Sequence, residues 1–336
     1  MSTIRIVLQP GFRPYLILAI VILLLSAFDA GQGRFLTIAT AFSALQTFAT
    51  FGLVALGLGL TMLIGEFDLS VAGVFGLAGC VALLMGVTDP WVGIACALGI
   101  GLVFGLAQGL LITKLALGSV PVTLGGLLTA TGTAYVLTGN RAVSSDHVEL
   151  AMAIDEPVAS LFSIHSLIAL GIFAAAGIVF SFTRLGRDLI ALGSDRRASI
   201  MTGVSVDRLV IGSFVFSAMA AALGGTLLSI GLASASPSGL SDVLVPAAAA
   251  TILGGVSLAG GTGTPLGIAA GVLTLTVLRS GLNAIAAPPF AHDLATGLIL
   301  LAVAISDASF LWHHLIALKA HVRRYFGYSV AAPRQQ

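Results

Sequence analysis

Long apolar runs cover most of this chain, and short clusters of glycine, proline, serine or charge interrupt them at intervals of about twenty residues. Runs of that length are too long for buried strands and match the ~20 residues a helix needs to cross a bilayer. The pattern predicts ten helices, at about 15–32, 37–64, 70–88, 91–113, 120–138, 160–182, 208–231, 243–258, 264–284 and 291–312. The breaks between them carry turn chemistry: Asp89-Pro90, Gly118-Ser119-Val120-Pro121, Ser236-Pro237-Ser238-Gly239 and Pro288-Pro289. The eighth segment is the shortest and contains Pro246.

Composition removes the soluble alternative. Of 336 residues, 57% are hydrophobic and 9% charged, whereas soluble domains run near a quarter charged. The expectation is an all-α, polytopic integral membrane protein forming one transmembrane domain over 1–336. Arg5 and Arg13 precede the apolar run Tyr15–Phe28 in the manner of a signal peptide, but Phe28 stands where a small residue is wanted and another apolar segment follows at once. An uncleaved first helix is expected. Cys80 and Cys96 lie in apolar stretches without C-x-x-C spacing, so they read as packing residues and no metal is expected. His313, His314 and His321, beside Trp312, suit a membrane boundary rather than a metal site.

Ten crossings put both termini on one side. With the N-terminus cytoplasmic, that side holds Arg5, Arg13, Lys114, Arg184, Arg187, Arg196, Arg197, Arg208, Lys319, Arg323, Arg324 and Arg334, twelve of the fifteen basic residues. Only Arg34, Arg141 and Arg279 fall outside or near the outer face, which is the asymmetry of the positive-inside rule. The segment 139–159, with Asp146, Glu149, Asp155 and Glu156 against Arg141, is then external, and the tail 313–336 is cytoplasmic. Small residues at spacing four (Ala97, Gly101, Gly105 and Gly109; Ala72, Gly76 and Cys80; Gly267 and Gly271) read as helix-packing surfaces. Thr61-Met62-Leu63-Ile64-Gly65 and Thr251-Ile252-Leu253-Gly254-Gly255 hint at an internal duplication of the kind transporters use.

The segment 183–208 holds five of the basic residues together with Asp188, Asp195 and Asp207, punctuated by Gly186, Gly193 and Gly203. Asp195 is placed to N-cap a short helix from Arg196 to Thr202, with Gly203 as its stop. Two readings fit: a short amphipathic helix offered to a soluble partner, or a loop kept inside by its arginines.

Three separated motifs carry a resemblance. Gly186, Arg187, Ala191, Gly193, Ala198, Gly203 and Val206 resemble the coupling loop of permease subunits of ATP-binding cassette importers, in the branch serving ribose and other simple sugars. Gly65-Glu66-Phe67-Asp68-Leu69-Ser70-Val71 resembles that branch's G-G-I-D-L-S-V-G, and Leu253-Gly254-Gly255-Val256-Ser257-Leu258-Ala259-Gly260-Gly261-Thr262-Gly263 resembles L-G-G-T-S-L-A-G-G-K-G. The departures are Glu66 and Phe67 for Gly-Ile, Asp195 for Asn, Ser199 for Ala and Thr262 for Lys.

The resemblance implies a transport subunit in a bacterial inner membrane, importing a simple sugar by alternating access, with no catalytic residue of its own. It implies a cytoplasmic ATPase that binds ATP and magnesium and receives the segment Arg187–Gly203, including Asp195, Arg196 and Arg197. It also implies a periplasmic or lipid-anchored binding protein and a second permease subunit, identical or not; membrane lipid surrounds it, and nucleic acid has no part. Arg196 and Arg197 are expected to meet acidic residues at the rim of the ATPase cleft. The motif residues Gly65, Glu66, Asp68, Ser70, Gly254, Gly255, Gly260 and Gly261 are candidates for gating or for structure. Carboxylates beside a span are costly unless they face water or a partner, so Glu66 and Asp68 divide between helix capping with loop ordering and a role in gating. Gln46, Gln108 and Asn283 either bond between helices or line a path, and Phe48, Phe51 and Phe75 either stack on sugar or face lipid.

A P-loop needs G-x-x-x-x-G-K-[ST]; neither lysine, Lys114 or Lys319, has the glycines, so the energy comes from a partner or an ion gradient. The competing readings are the same importer class carrying a nucleoside, autoinducer or branched-chain amino acid, and an ion-coupled carrier.

Overall fold

The computed structural model describes residues 12–29, 33–238 and 243–307 and is mostly helical. In chain order the helices are α1 (Arg13–Phe28), α2 (Ile38–Leu63), α3 (Val71–Met85), α4 (Pro90–Lys114), α5 (Ser119–Thr138), α6 (Val148–Asp155), α7 (Ile164–Phe182), α8 (Arg184–Ser194), α9 (Arg196–Met201), α10 (Val206–Gly231), α11 (Leu244–Leu253), α12 (Pro265–Ala284) and α13 (Phe290–Asp307). Two short strands, β1 (Val143–Ser144) and β2 (Ser234–Ala235), pair antiparallel. A helix overlaps each of the ten segments expected from the sequence. Among the described residues, six helices (α2, α4, α5, α7, α10 and α12) are long and apolar enough to cross a membrane. The apolar parts of α1, α3, α11 and α13 are shorter, at 10–17 residues. The tail 313–336, with its three histidines, lies outside the described residues.

The chain divides into two compact units, Met1–His292 and Asp293–Gln336. In the first, α10 packs on α2, α3 and α4, while α2 also meets α7, α11 and α12. The small residues explain this closeness. A Cβ built on Gly101, Gly105 or Gly109 would stand 2.8, 2.5 and 2.8 Å from the α10 backbone at Ala218, Val215 and Ile211. The stripe on α4 is therefore a packing surface, where van der Waals contact takes the place of a hydrophobic drive. Gly267 and Gly271 seat α12 against α11 in the same way, at Gly254 and Ala250.

The hint of duplication has a structural counterpart. α2 and α11 end in the same Schellman turn, with Gly65 at φ +78° and Gly255 at φ +83°. Gly65 N–H donates to Met62 O and Glu66 N–H to Thr61 O; Gly255 N–H donates to Ile252 O and Val256 N–H to Thr251 O. The eighth segment therefore stops at Leu253, five residues earlier than expected, because its glycine pair turns the chain.

Two elements differ from expectation. The segment 139–159, expected as an external loop, contains α6, whose Ala151 and Ile154 are buried. The segment 183–208 holds two helices rather than one, α8 preceding the expected short helix α9.

Candidate functional site

The three motifs meet at one junction. α8 is amphipathic: Gly186, Leu189 and Leu192, spaced by three, are buried, while Arg184 and Arg187 face outward. Leu189 and Leu192 join a core of Leu63, Ile64, Ile112, Val206, Val210 and Phe214. Gly186 lies against the Phe180 carbonyl, which lets the chain fold back sharply after α7. Gly193 lies against the Leu63 carbonyl oxygen, which also accepts the Gly261 N–H at 2.8 Å. A Cβ on Gly260 would stand 2.8 Å from Gly65 N and 2.9 Å from Gly193 O, and one on Gly261 would stand 2.6 Å from Ser194 Oγ. Gly65, Gly193 and the pair Gly260–Gly261, far apart in the chain, thus touch through backbone alone. Gly260 and Gly261 also have positive φ, +86° and +77°, which only glycine adopts without strain.

α9 stands beside this junction. Asp195 Oδ1 accepts from Arg197 N–H (2.9 Å) and Ala198 N–H (3.0 Å), so Asp195 is the N-cap. Gly203, at φ +84°, closes the helix with a Schellman turn. Ser199 is buried, but Ile200 and Met201 are 57% and 89% exposed, two apolar side chains turned to solvent at the tip of the segment. Arg197 is exposed. Within the chain, Arg196 Nη1 donates to Glu66 Oε1 at 3.0 Å. Lys114 and Asp207 form a second, exposed pair at 2.7 Å.

Asp68 does not cap the helix that follows it by the usual route. Its side chain is fully buried, Oδ1 accepting from Ser70 N–H (3.0 Å) and Ser70 Oγ (2.6 Å), and Oδ2 from Ser217 Oγ (2.8 Å). It orders the 64–70 turn and ties it to α10. Gln108 of α4 joins this chain, its Oε1 3.1 Å from Ser70 Oγ. Thr123 Oγ1 of α5 donates to Phe67 O, and Ser119 Oγ accepts from Phe67 N–H. Ser217 and Thr123 drew no notice in the sequence, because a lone hydroxyl in an apolar helix has no distinguishing neighbours.

Toward the other end of α2 a second polar group closes the segment 139–159. Gln46 Nε2 donates to Asp155 Oδ1 (3.0 Å) and Gln46 Oε1 accepts from Ser163 Oγ (2.7 Å), while His165 Nδ1 lies 3.8 Å from Asp155 Oδ1. The His165 ring, helped by Gln46 and opposed by partial burial, holds the Asp155 carboxyl below its ordinary value. Gln46 therefore bonds between helices. Phe48 is buried and stacks on Phe173 with centroids 5.1 Å apart, and Phe75 is buried too, so neither faces lipid. Phe51 lies under the Arg279 guanidinium, 5.1 Å from its ring centroid.

Residues 40–304 match the model of a family described as the branched-chain amino acid transport system permease component. The chain is 33% identical over 261 residues to the L-arabinose transport system permease protein of Escherichia coli K12, covering 76% of this chain and 78% of that protein. It is 30% identical over 282 residues to the ribose import permease protein of the same organism, covering 82% and 87%. It is 33% identical over 273 residues to the autoinducer 2 import system permease protein of Enterobacter sp. strain 638, covering 80% and 79%. No solved structure matches the chain.

Proposed function

We propose, from the premise that this chain belongs to the family of branched-chain amino acid transport system permease components, that it is the membrane subunit of an ATP-driven importer of a simple sugar. The observation that carries the reading is the docking of α8 on the glycine turn that ends α2 and on the Gly260–Gly261 loop that follows α11. A partner that moves α8 pushes on the end of the buried helix α2 and on the loop after α11. That is what coupling requires: a bistable packing biased from outside.

In this reading a cytoplasmic ATPase, which binds ATP and magnesium, receives the tip of α9. Met201 and Ile200 supply apolar contact, and Arg187 and Arg197 supply charge. Glu66 and Arg196 tie the tip to the turn after α2, so a push on α9 reaches both motif loops. Ten crossings, with both termini on the cytoplasmic side of an inner membrane, place α8 and α9 with most of the basic residues. A second permease subunit and an extracytoplasmic binding protein complete the importer. The relatives' cargoes, L-arabinose and ribose, support a pentose or similar polyol; the autoinducer 2 permease keeps a small polar signal molecule as the second reading.

Purification of the chain from its own cells in gentle detergent tests this. A protein bearing a P-loop is expected to co-purify and to be lost with Met201→Asp or Arg187→Glu while the permease stays folded. Uptake that persists under an ion gradient after every associated ATPase is removed would show that the chain is a carrier instead.

A further inference from the structure

α5 is the least covered of the six long helices, with 17% of its apolar stretch buried against the rest of the chain. Between it and α4 runs a groove of about 600 Å³, within the usual size of a small-molecule site. Its walls include Phe104, Pro121, Gly125, Gly126 and Thr129, and Gln108 forms part of its floor. Gln108 is 3% exposed, and its Nε2 has no hydrogen-bond partner. That nitrogen lies against Gly126, where a Cβ would displace it.

The orphaned amide follows from a count of protons. Ser70 Oγ has one hydrogen, and it stands 2.6 Å from Asp68 Oδ1 and 3.1 Å from Gln108 Oε1. The shorter, charge-assisted contact takes it. Turned either way, the Gln108 amide presents one polar atom to Ser70 and the other to Gly126 without a partner. A hydroxyl of a ligand is donor and acceptor at once, so it satisfies that atom in either orientation. An apolar lipid chain or an apolar helix face does not.

We infer that the groove between α4 and α5 is a subsite for the transported sugar, in which the Gln108 amide binds a ring hydroxyl while Phe104 faces the C–H side of the ring. This rests on the sugar-importer reading above. It adds a route from cargo to coupling: Gln108 reaches Asp68 and Ser217 through Ser70, and Asp68 is two residues from the Glu66 that holds Arg196.

The test uses the assembled transporter in membrane vesicles, in a Cys96→Ala background that removes the exposed thiol. Cysteines replace Thr129 and Gly125; the latter has open space around its Cβ position. A charged, membrane-impermeant methanethiosulfonate is expected to modify both within about tenfold of the rate at an Asp146→Cys control, and L-arabinose or D-ribose to slow the reaction. Gln108→Leu, close in size but without the amide, is expected to lower uptake of the probe sugar about tenfold, with Gln108→Asn losing less. Cysteines that stay unmodified mark a lipid-facing groove, and cysteines that cross-link between two copies without reacting mark a subunit interface; either overturns the inference, as does wild-type uptake by Gln108→Leu. Wild-type vesicles that import neither sugar count against the proposed function. Unreactive cysteines with intact import count against the groove alone.

Discussion

A carboxylate at position 66 stands where the resembling motif carries glycine, and it has found a partner 130 residues away in Arg196. The Arg196 side chain is 46% exposed, so the pair contributes about 0–1 kcal/mol and acts mainly by fixing where α9 sits. Neither residue reveals the other in the sequence, because only the fold brings the two loops together. Asp68 was legible as a costly carboxylate needing a partner, but Ser217, the hydroxyl that meets it from α10, was not. Asp155 shows the same limit at the opposite end, where its partners Gln46 and His165 come from α2 and α7. Its folded pKa lies below the unfolded value of ~3.9, so its stabilisation is fully present above that value and is lost as pH falls through the folded pKa. Asp155→Asn is therefore expected to lower the unfolding temperature at pH 7 and to narrow its gap to wild type as the medium is acidified below about pH 4. Thermal unfolding in detergent across that range checks the sign; a gap that widens on acidification would contradict the assignment.

The helix on which the proposed coupling turns, α8, was the one the sequence concealed. Glycine at 186 and 193 reads as punctuation, since glycine lowers helix stability by about 1 kcal/mol relative to alanine. Here both glycines serve packing, because each touches a carbonyl that leaves no room for a side chain. The three-residue spacing of Gly186, Leu189 and Leu192 was present in the sequence, but eleven residues with four charged or polar neighbours are too few for a clear period. By contrast α9 was legible from Asp195 and Gly203, whose capping roles depend only on nearby backbone. The docking of α8 yields a prediction about order of failure. Gly193→Ala forces the new methyl into the Leu63 carbonyl and is expected to cost about 1–3 kcal/mol. Leu189→Ala empties part of the core shared with Val210 and Phe214, at about 2–5 kcal/mol. Both are expected to leave the ATPase bound through the tip of α9 while ATP hydrolysis no longer drives uptake. Hydrolysis and uptake measured on the same reconstituted samples decide this: a parallel loss of both, with the partner dissociated, would mean that the docking of the buried face of α8 is needed for the partner to bind at all.

For the bundle as a whole, hydropathy located every long helix, because burial in lipid and burial in protein both demand apolar residues. It did not distinguish them. α2, α10 and α12 are mostly covered by other helices, whereas α4, α5 and α7 are mostly uncovered. The distinguishing signal is the close approach of glycines, and that becomes readable only once the partner helix is known. The four shorter helices make the number of crossings a question of geometry rather than composition. α3 and α11 span 15 and 10 residues, about 22 and 15 Å at 1.5 Å per residue, less than the ~30 Å hydrocarbon core. Each follows or precedes a glycine turn, so the turn and the loop beyond it account for part of the depth, as in the broken helices of transporters. If α3 completes a crossing in this way, five crossings from a cytoplasmic N-terminus put 139–159 outside, and α7 returns the chain so that α8 and α9 lie on the opposite side. Single cysteines at Asp146 and Arg197, both exposed, test it in the Cys96→Ala background. An impermeant maleimide is expected to label Asp146→Cys from outside intact cells and Arg197→Cys only in inverted vesicles. Labelling of both from the same side would mean that α7, the one long helix between them, does not cross, whereas the reverse pattern would mean that α1 or α3 turns back within the membrane.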